Sequence, residues 1–252
     1  MTNPTAKNTA LGEGIDPTPT GLSATLVSAN LAQYGNYEQV TDLLELTSVD
    51  SLIKEVIDVL AYEAALTIDT VIRDTLVTGG TVQYAGTVVA RNSLVPANVL
   101  TVADIRKAKR NLGRFFAKPH TANRFVAIAH PDVIYDLEGD TTWISAHTYN
   151  DKGLENFYNG EAGEIYGTRW IEYGNSPVLT NSGSAGTEVY LTWIMGKDFF
   201  GVSKLQNLQT YVDSPSPRSA LRLYSDIGWK ASWAHKVLND SFAMRVETAA
   251  TA

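Results

Sequence analysis

The chain has 252 residues, a formal net charge of −7 and no cysteine, with 44% hydrophobic and 19% charged residues. Disulfides, thiolate nucleophiles and cysteine metal sites are excluded. The acidic balance opposes tight nonspecific binding to phosphate backbones, which relies on clustered Lys and Arg. The composition is that of a globular protein with room for one large or two modest domains. The 5 Trp, 12 Tyr and 7 Phe are expected mostly to fill cores, with some left to anchor contacts between subunits. No run of 18 apolar residues offers a membrane span. The opening MTNPTAKNTALGEGIDPTPTG lacks the charged-then-apolar layout of a signal peptide.

Taken in chain order, residues 1–21 are rich in Thr, Pro, Gly and Asn and read as an arm or extended loop. Residues 22–47 carry short β-like runs at Leu26-Val27 and Tyr37 to Val40, broken by Asn30, Gly35 and Asn36. From Val49 the apolar positions Leu52, Ile53, Val56, Ile57, Leu60, Ala64, Ile68, Val71, Ile72 and Leu76 recur in steps that make one helical stripe. Ser48 or Asp50 is positioned to cap its start and Gly79-Gly80 to stop it. A helix over 49–78 is about 40 Å long, a spine that carries other elements.

Residues 81–98 read as a β-leaning loop around Gly86 and Pro96. A second helix opens at Thr101 with a box-like cap from Asp104 and runs through Phe115 and Phe116 to Pro119. Phe125 to Ala129 reads as a short buried strand. Pro131 sits at a first helical position, with His130 available as the cap. Residues 139–186 are loop-rich and aromatic, Val189 to Met195 reads as a strand, and the last third is mostly β. There Ile227, Trp229, Ala231 and Trp233 alternate with Gly228, Lys230 and Ser232, and Phe242, Met244 and Val246 repeat the pattern. The fold class is α+β. The spine and the final strands form one lobe, and residues 99–200 form a more compact lobe inserted between them.

The motifs of common chemistries are missing: no phosphate-binding Gly-rich loop, no His-Glu-x-x-His helix, no Gly-x-Ser-x-Gly elbow and no calcium loop. His120, His130, His147 and His235 lack metal-ligand spacing. Asp132, Asp136, Glu138, Asp140, Asp151, Glu155, Glu161 and Glu164 lie among aromatics, and this is the segment from which a carbohydrate-active enzyme or lectin reading is built. A solvated or intersubunit surface accounts for it more simply, since loops carry such residues routinely. Arg106, Lys107, Lys109, Arg110, Arg114 and Lys118 make a basic run in which Arg106, Arg110 and Arg114 share one helix face. That face is either solvated or an electrostatic contact with an acidic copy of the same chain or with DNA.

Six segments in order carry a resemblance: QYGNYEQVTDLLELTS (33–48), LTVADIRKAKRNLGRFFAKP (100–119), FVAIAHPDVIYDLEGD (125–140), ENFYNGEAGEIYGTRWIEYGNSPV (155–178), IMGKDFFGV (194–202) and DIGWKASWAHKVLND (226–240). Through them the chain resembles the N-four-type family of tailed-phage major capsid proteins. The resemblance implies the HK97-like fold, with an extended loop or arm at 1–36 and a peripheral domain at 37–98 carrying the spine helix. It further implies an axial domain at 99–202 and closing strands of the peripheral domain at 203–252. It implies self-assembly into hexamers and pentamers of an icosahedral head around double-stranded DNA, which is enclosed without sequence-specific binding. No catalytic residue, cofactor or membrane follows from it, and scaffolding, portal and decoration proteins are the expected further partners. The implied location is the virion, after assembly in the cytoplasm of a bacterial host. Arg106, Arg110, Arg114, Trp143, Tyr158 and Glu161 are the candidate intersubunit contacts. Family members carry a longer segment before the loop, so this chain implies an arm that is trimmed or missing. Lys7 has no marked acceptor for a Lys–Asn cross-link. An encapsulin-like compartment shell is the alternative on the same fold.

Overall fold

The computed structural model describes residues 8, 10, 13–14, 16, 26–120, 123–148 and 163–251. Lys7 and most of the expected arm, together with Tyr158 and Glu161, lie outside the described residues. Two sheets organise what is described. In the smaller, β1 (Ala32–Thr41), β9 (Tyr224–Val237) and β8 (Phe200–Asp213) run antiparallel in the order β1-β9-β8. In the larger, the order is β2 (Thr81–Tyr84), β10 (Ala243–Thr248), β7 (Val189–Met195), β3 (Phe125–Ala129), β5 (Thr168–Glu172), β4 (Glu164–Ile165), and β6 (Val178–Leu179) pairs with β7. The larger sheet is mixed: β10 lies parallel to β2, and β3 parallel to β5.

The long apolar stripe forms α2, Leu52–Val77, with Ser51 at its N-cap. The expected caps Ser48 and Asp50 serve the break before it. Ser48 N–H closes the short helix α1, Asp42–Thr47, on Leu44 O, and Ser48 Oγ donates to Asp50 O at 2.8 Å. That short helix replaces the expected β-like end of 22–47, because Thr41 caps it and its three leucines need no strand partner. Across its N-terminal half, α2 packs Leu52, Ile53, Val56, Ile57, Leu60 and Ala64 on Val40, Ile227 and Trp229 of the small sheet. At its other end Leu76 and Val77 join the core under the large sheet. One helix of 26 residues, about 39 Å long, is therefore shared by both cores. Gly79 ends it where a Cβ would come within 2.6 Å of Val237 Cγ2, so no other residue fits that crossing without displacement.

The large sheet is covered on one face along its length and on the other around β7, while Ile171 of β5 and Val82 of β2 stay exposed. On one lie α3 (Val102–Arg114) and α4 (Pro131–Glu138), whose Ile105, Ala108, Leu112, Val133, Ile134 and Leu137 meet Ala127, Ile194 and Met244. On the other, Ala85 and Leu94 cover Val189, Leu191 and Trp193. Alternate residues of β7 thus feed opposite cores, which is why six of its seven residues are buried. The helix α3 stops at Arg114, five residues before Pro119. Phe116 adopts φ 55°, Ala117 N–H donates to Leu112 O at 3.0 Å and Phe116 N–H to Gly113 O at 3.1 Å. This is the double hydrogen bond of a Schellman cap, with buried Leu112 and Ala117 in its apolar contact. Pro119 is not the terminator.

The last strand corrects the expected division at 203. β8 and β9 lie with α2, but β10 is central in the large sheet, between β2 and β7. Met244 and Val246 fill its core, so the chain closes the compact lobe and not the spine lobe. Alternation in 242–246 announced a strand but not its sheet.

Candidate assembly surfaces

Four carboxylates of the proposed sugar site, Asp132, Asp136, Asp140 and Glu164, are engaged in holding the fold, while Asp151, Glu155 and Glu161 lie outside the described residues. Asp132 Oδ2 accepts from Tyr190 Oη at 3.0 Å, and Asp136 accepts from Thr251 N–H at 2.9 Å and from its hydroxyl. Asp140 accepts from the N–H of Val102 at 3.1 Å and of Thr142 at 2.8 Å, capping α3 and α5 (Thr141–Thr148) together. Glu164 pairs with Arg124 at 2.8 Å. Partial burial works to raise the Asp140 carboxyl, but the hydrogen bonds from Val102 and Thr142 outweigh it and hold the group below the ordinary range. The Tyr190 hydroxyl is pushed up to about 12 by burial and by the neighbouring Asp132 carboxylate. His130 takes its expected place as the α4 cap, with Nδ1 accepting from Asp132 N–H at 3.3 Å. Among the described residues no three His, Asp or Glu side chains are grouped to hold a metal ion.

Trp143 is a correction. It was expected at a subunit contact, but it is 5% exposed and meets Trp170 edge-on at 6.2 Å in the main core. An indole of that size contributes most when wholly buried, and the α5 backbone turns it inward. The three arginines do share the outer face of α3 and all are exposed. Arg106 lies over the Tyr166 ring at 5.6 Å, while Arg110 and Arg114 make no ion pair among the described residues.

A further uncovered apolar surface lies on β8 and α1. The helix α2 packs on β1 and β9 of this sheet, and on β8 Val202, Leu205, Leu208, Tyr211 and Val212 are 44–73% exposed. Leu43, Leu44 and Leu46 of α1 are 51–80% exposed. The register of β8 against β9 slips between Lys204 and Gln206 and again between Gln206 and Gln209. Bulges of this kind turn side chains that strict alternation would hide. The visible signal was the three-residue spacing of Val202, Leu205, Leu208 and Tyr211, which fits neither a helix stripe nor a strand face over that length. On the outer side of the small sheet, Tyr37 and Tyr211 flank Gly228 across three strands, with Arg218 over Tyr37 at 5.9 Å and Lys230 over Tyr211 at 4.9 Å. They line a shallow groove of about 290 Å³. A Cβ at Gly228 would sit 2.8 Å from Tyr37 Cβ, so the groove floor needs glycine.

Exposed apolar side chains clustered beside charged ones are what a protein–protein contact surface looks like. The comparisons agree. The capsid of Ralstonia phage GP4 superposes with a TM-score of 0.71 at 13% identity, over 89% of this chain and 74% of that one. The cyanophage Pam1 capsid gives 0.70 at 15% identity, over 97% and 82%. The acid-stable capsid of Helicobacter pylori bacteriophage KHP30 gives 0.64 at 14%, over 88% and 76%. No curated protein matches the chain. These likenesses establish the HK97-like fold, and a phage capsid protein family model matches residues 25–249. The chain therefore belongs to the phage capsid protein family and is a major capsid protein, a subunit of an icosahedral phage head.

Proposed function

We propose that this subunit assembles into hexamers and pentamers whose shell encloses double-stranded DNA without sequence-specific contacts, and that it has no catalytic activity. The observation that carries the reading is the uncovered apolar surface of β8 and α1. A surface of that kind costs solubility unless a neighbour covers it, and repeated copies of one chain supply that neighbour by symmetry. The net charge of −7 supports enclosure of DNA over gripping it. On this reading the small sheet with α2 is the peripheral domain, and the large sheet with α3 and α4 is the axial domain. The extended loop or arm expected at 1–36 overlaps the start of β1, which already holds Ala32 to Asn36. Assembly takes place in the host cytoplasm, with scaffolding, portal and decoration proteins as further partners.

Electron microscopy of the purified full chain, paired with nucleic-acid analysis of particles from infected cells, tests this. Closed shells with five- and six-fold capsomers around DNA are expected. Shells that carry an enzyme as cargo and no DNA point to the compartment alternative. A monomer that never assembles and cleaves a saccharide overturns the reading.

A further inference from the structure

Two faces of this chain are exposed, oppositely charged and uncovered among the described residues. The first is the outer face of α3. Residues 105–131 hold seven cations (Arg106, Lys107, Lys109, Arg110, Arg114, Lys118, Arg124) and no acid. With a chain total of −7, setting those cations aside leaves −14 on the rest. Three of the seven are taken up at home: Lys107 donates to Gly86 O at 3.3 Å, Lys109 to Tyr166 O, and Arg124 pairs with Glu164. Arg110 and Arg114 remain exposed without a side-chain partner among the described residues, and Phe116 beside them is 74% exposed.

The second face is the side of α2 turned away from its sheet. At 100° per residue, Glu55, Asp58, Val59, Tyr62 and Leu66 fall within about a third of the helix circumference, opposite Leu60 and Ala64. All five are exposed, Val59 to 62% and Tyr62 to 73%. Glu55 and Asp58 have no hydrogen bond or ion pair through their side chains among the described residues. An apolar stripe with carboxylates at one end is matched by a basic helix face with an exposed phenyl ring at its end.

We propose that the outer face of α3 in one copy docks on the outer face of α2 in the next. Arg110 and Arg114 meet Glu55 and Asp58, and Phe116 packs on Val59 and Tyr62. Charge complementarity selects a second copy as occupant. A DNA backbone would neutralise the arginines but leave the α2 stripe uncovered, and −14 on the rest of the chain repels it. The two faces belong to different lobes of one chain, so the contact is heterologous. Repeated round an axis it closes into a ring, the form a capsomer needs. Planar guanidinium groups also stack on Tyr62, which lysines would do less well.

The inference rests on the shell reading, and charge exchange in the full chain separates the two. The paired variants Arg110→Glu/Arg114→Glu and Glu55→Lys/Asp58→Lys are each expected to lower the yield of closed shells by roughly tenfold or more, since like charges then face each other. The fourfold variant, with the charges swapped, recovers shells to within about threefold of the parent. Circular dichroism checks that each variant folds. A milder set, Arg110→Gln/Arg114→Gln and Glu55→Gln/Asp58→Asn, gives the same ordering with smaller losses. Normal shells from both reversals, or no recovery in the fourfold variant, overturn the contact. Intact shells that fail only to retain DNA in the α3 variant overturn it in favour of a DNA-facing helix. Absence of shells from the parent chain overturns the shell reading itself, and this contact with it.

Discussion

The two sheets of this subunit are built to different standards. The seven-stranded one is packed on both faces around its central strand β7, and its largest fully buried side chains include Trp193, Ile105, Leu112 and Leu137. The three-stranded one has a single covering helix and a core of five buried residues, while most of β8 faces solvent. The first spends its apolar residues inside its own chain, and the second keeps many of them for other copies. Substitutions in the large sheet should therefore unfold the subunit, and those on the small one should spare the subunit and stop assembly.

The largest effect is expected at Trp193. Trp193→Ala should cost about 3–5 kcal/mol in urea unfolding of dissociated subunits, the range for emptying a filled aromatic site. Next comes the pair that ties the large sheet to the turn at Arg91–Ser93. Arg91 donates to both oxygens of Glu247 at 2.7 Å, and the Glu247 side chain is wholly buried. Among the described residues Arg91→Ala leaves that carboxylate paired with Arg245 at 3.2 Å, and should cost about 3 kcal/mol by the same measurement. The hydrogen bonds that Arg91 donates to Glu247 keep its guanidinium charged more firmly than in solution.

A smaller effect belongs to Asp140, which caps two helices at once. Asp140→Ala should cost about 1–2 kcal/mol. Its carboxyl is held low in the folded chain, so the stabilisation is full above the unfolded carboxylate range near 3.9 and is lost as pH falls through the folded value. Acid unfolding of the parent and of Asp140→Ala should therefore converge at the acid end. At the bottom of the scale, Leu205→Ser combined with Leu208→Ser should move subunit stability by no more than about 0.5 kcal/mol, the usual surface value. The same variant should lose most of its particles in electron micrographs. If it destabilises the subunit as much as Trp193→Ala does, the contrast between the two sheets fails.

Much of the large lobe was legible in the residues. Val189–Met195, Phe125–Ala129, Pro131 at a helix start and Thr101 with Asp104 at another all carry local signals that tertiary packing leaves in place. The spine helix was legible to within three residues at its start and one at its end. What was not legible depends on distant partners. Nothing near Met244 says that its strand lies between β2 and β7, because the choice is made by Ile194 and Thr81 from far along the chain. Trp143 reads as a surface aromatic until Trp170 is folded against it. Of the candidate contacts, the arginine face of α3 was visible because helical spacing is local. The β8 surface was hidden because two bulges break the period on which strand reading depends.

The apolar surface of β8 and α1 exists to be covered by neighbouring copies, and a density map of the assembled shell at side-chain resolution puts this to the test. The expected result is that Leu205, Leu208, Tyr211, Leu43 and Leu46 are buried against other subunits. A closed shell in which those side chains still face solvent would contradict it.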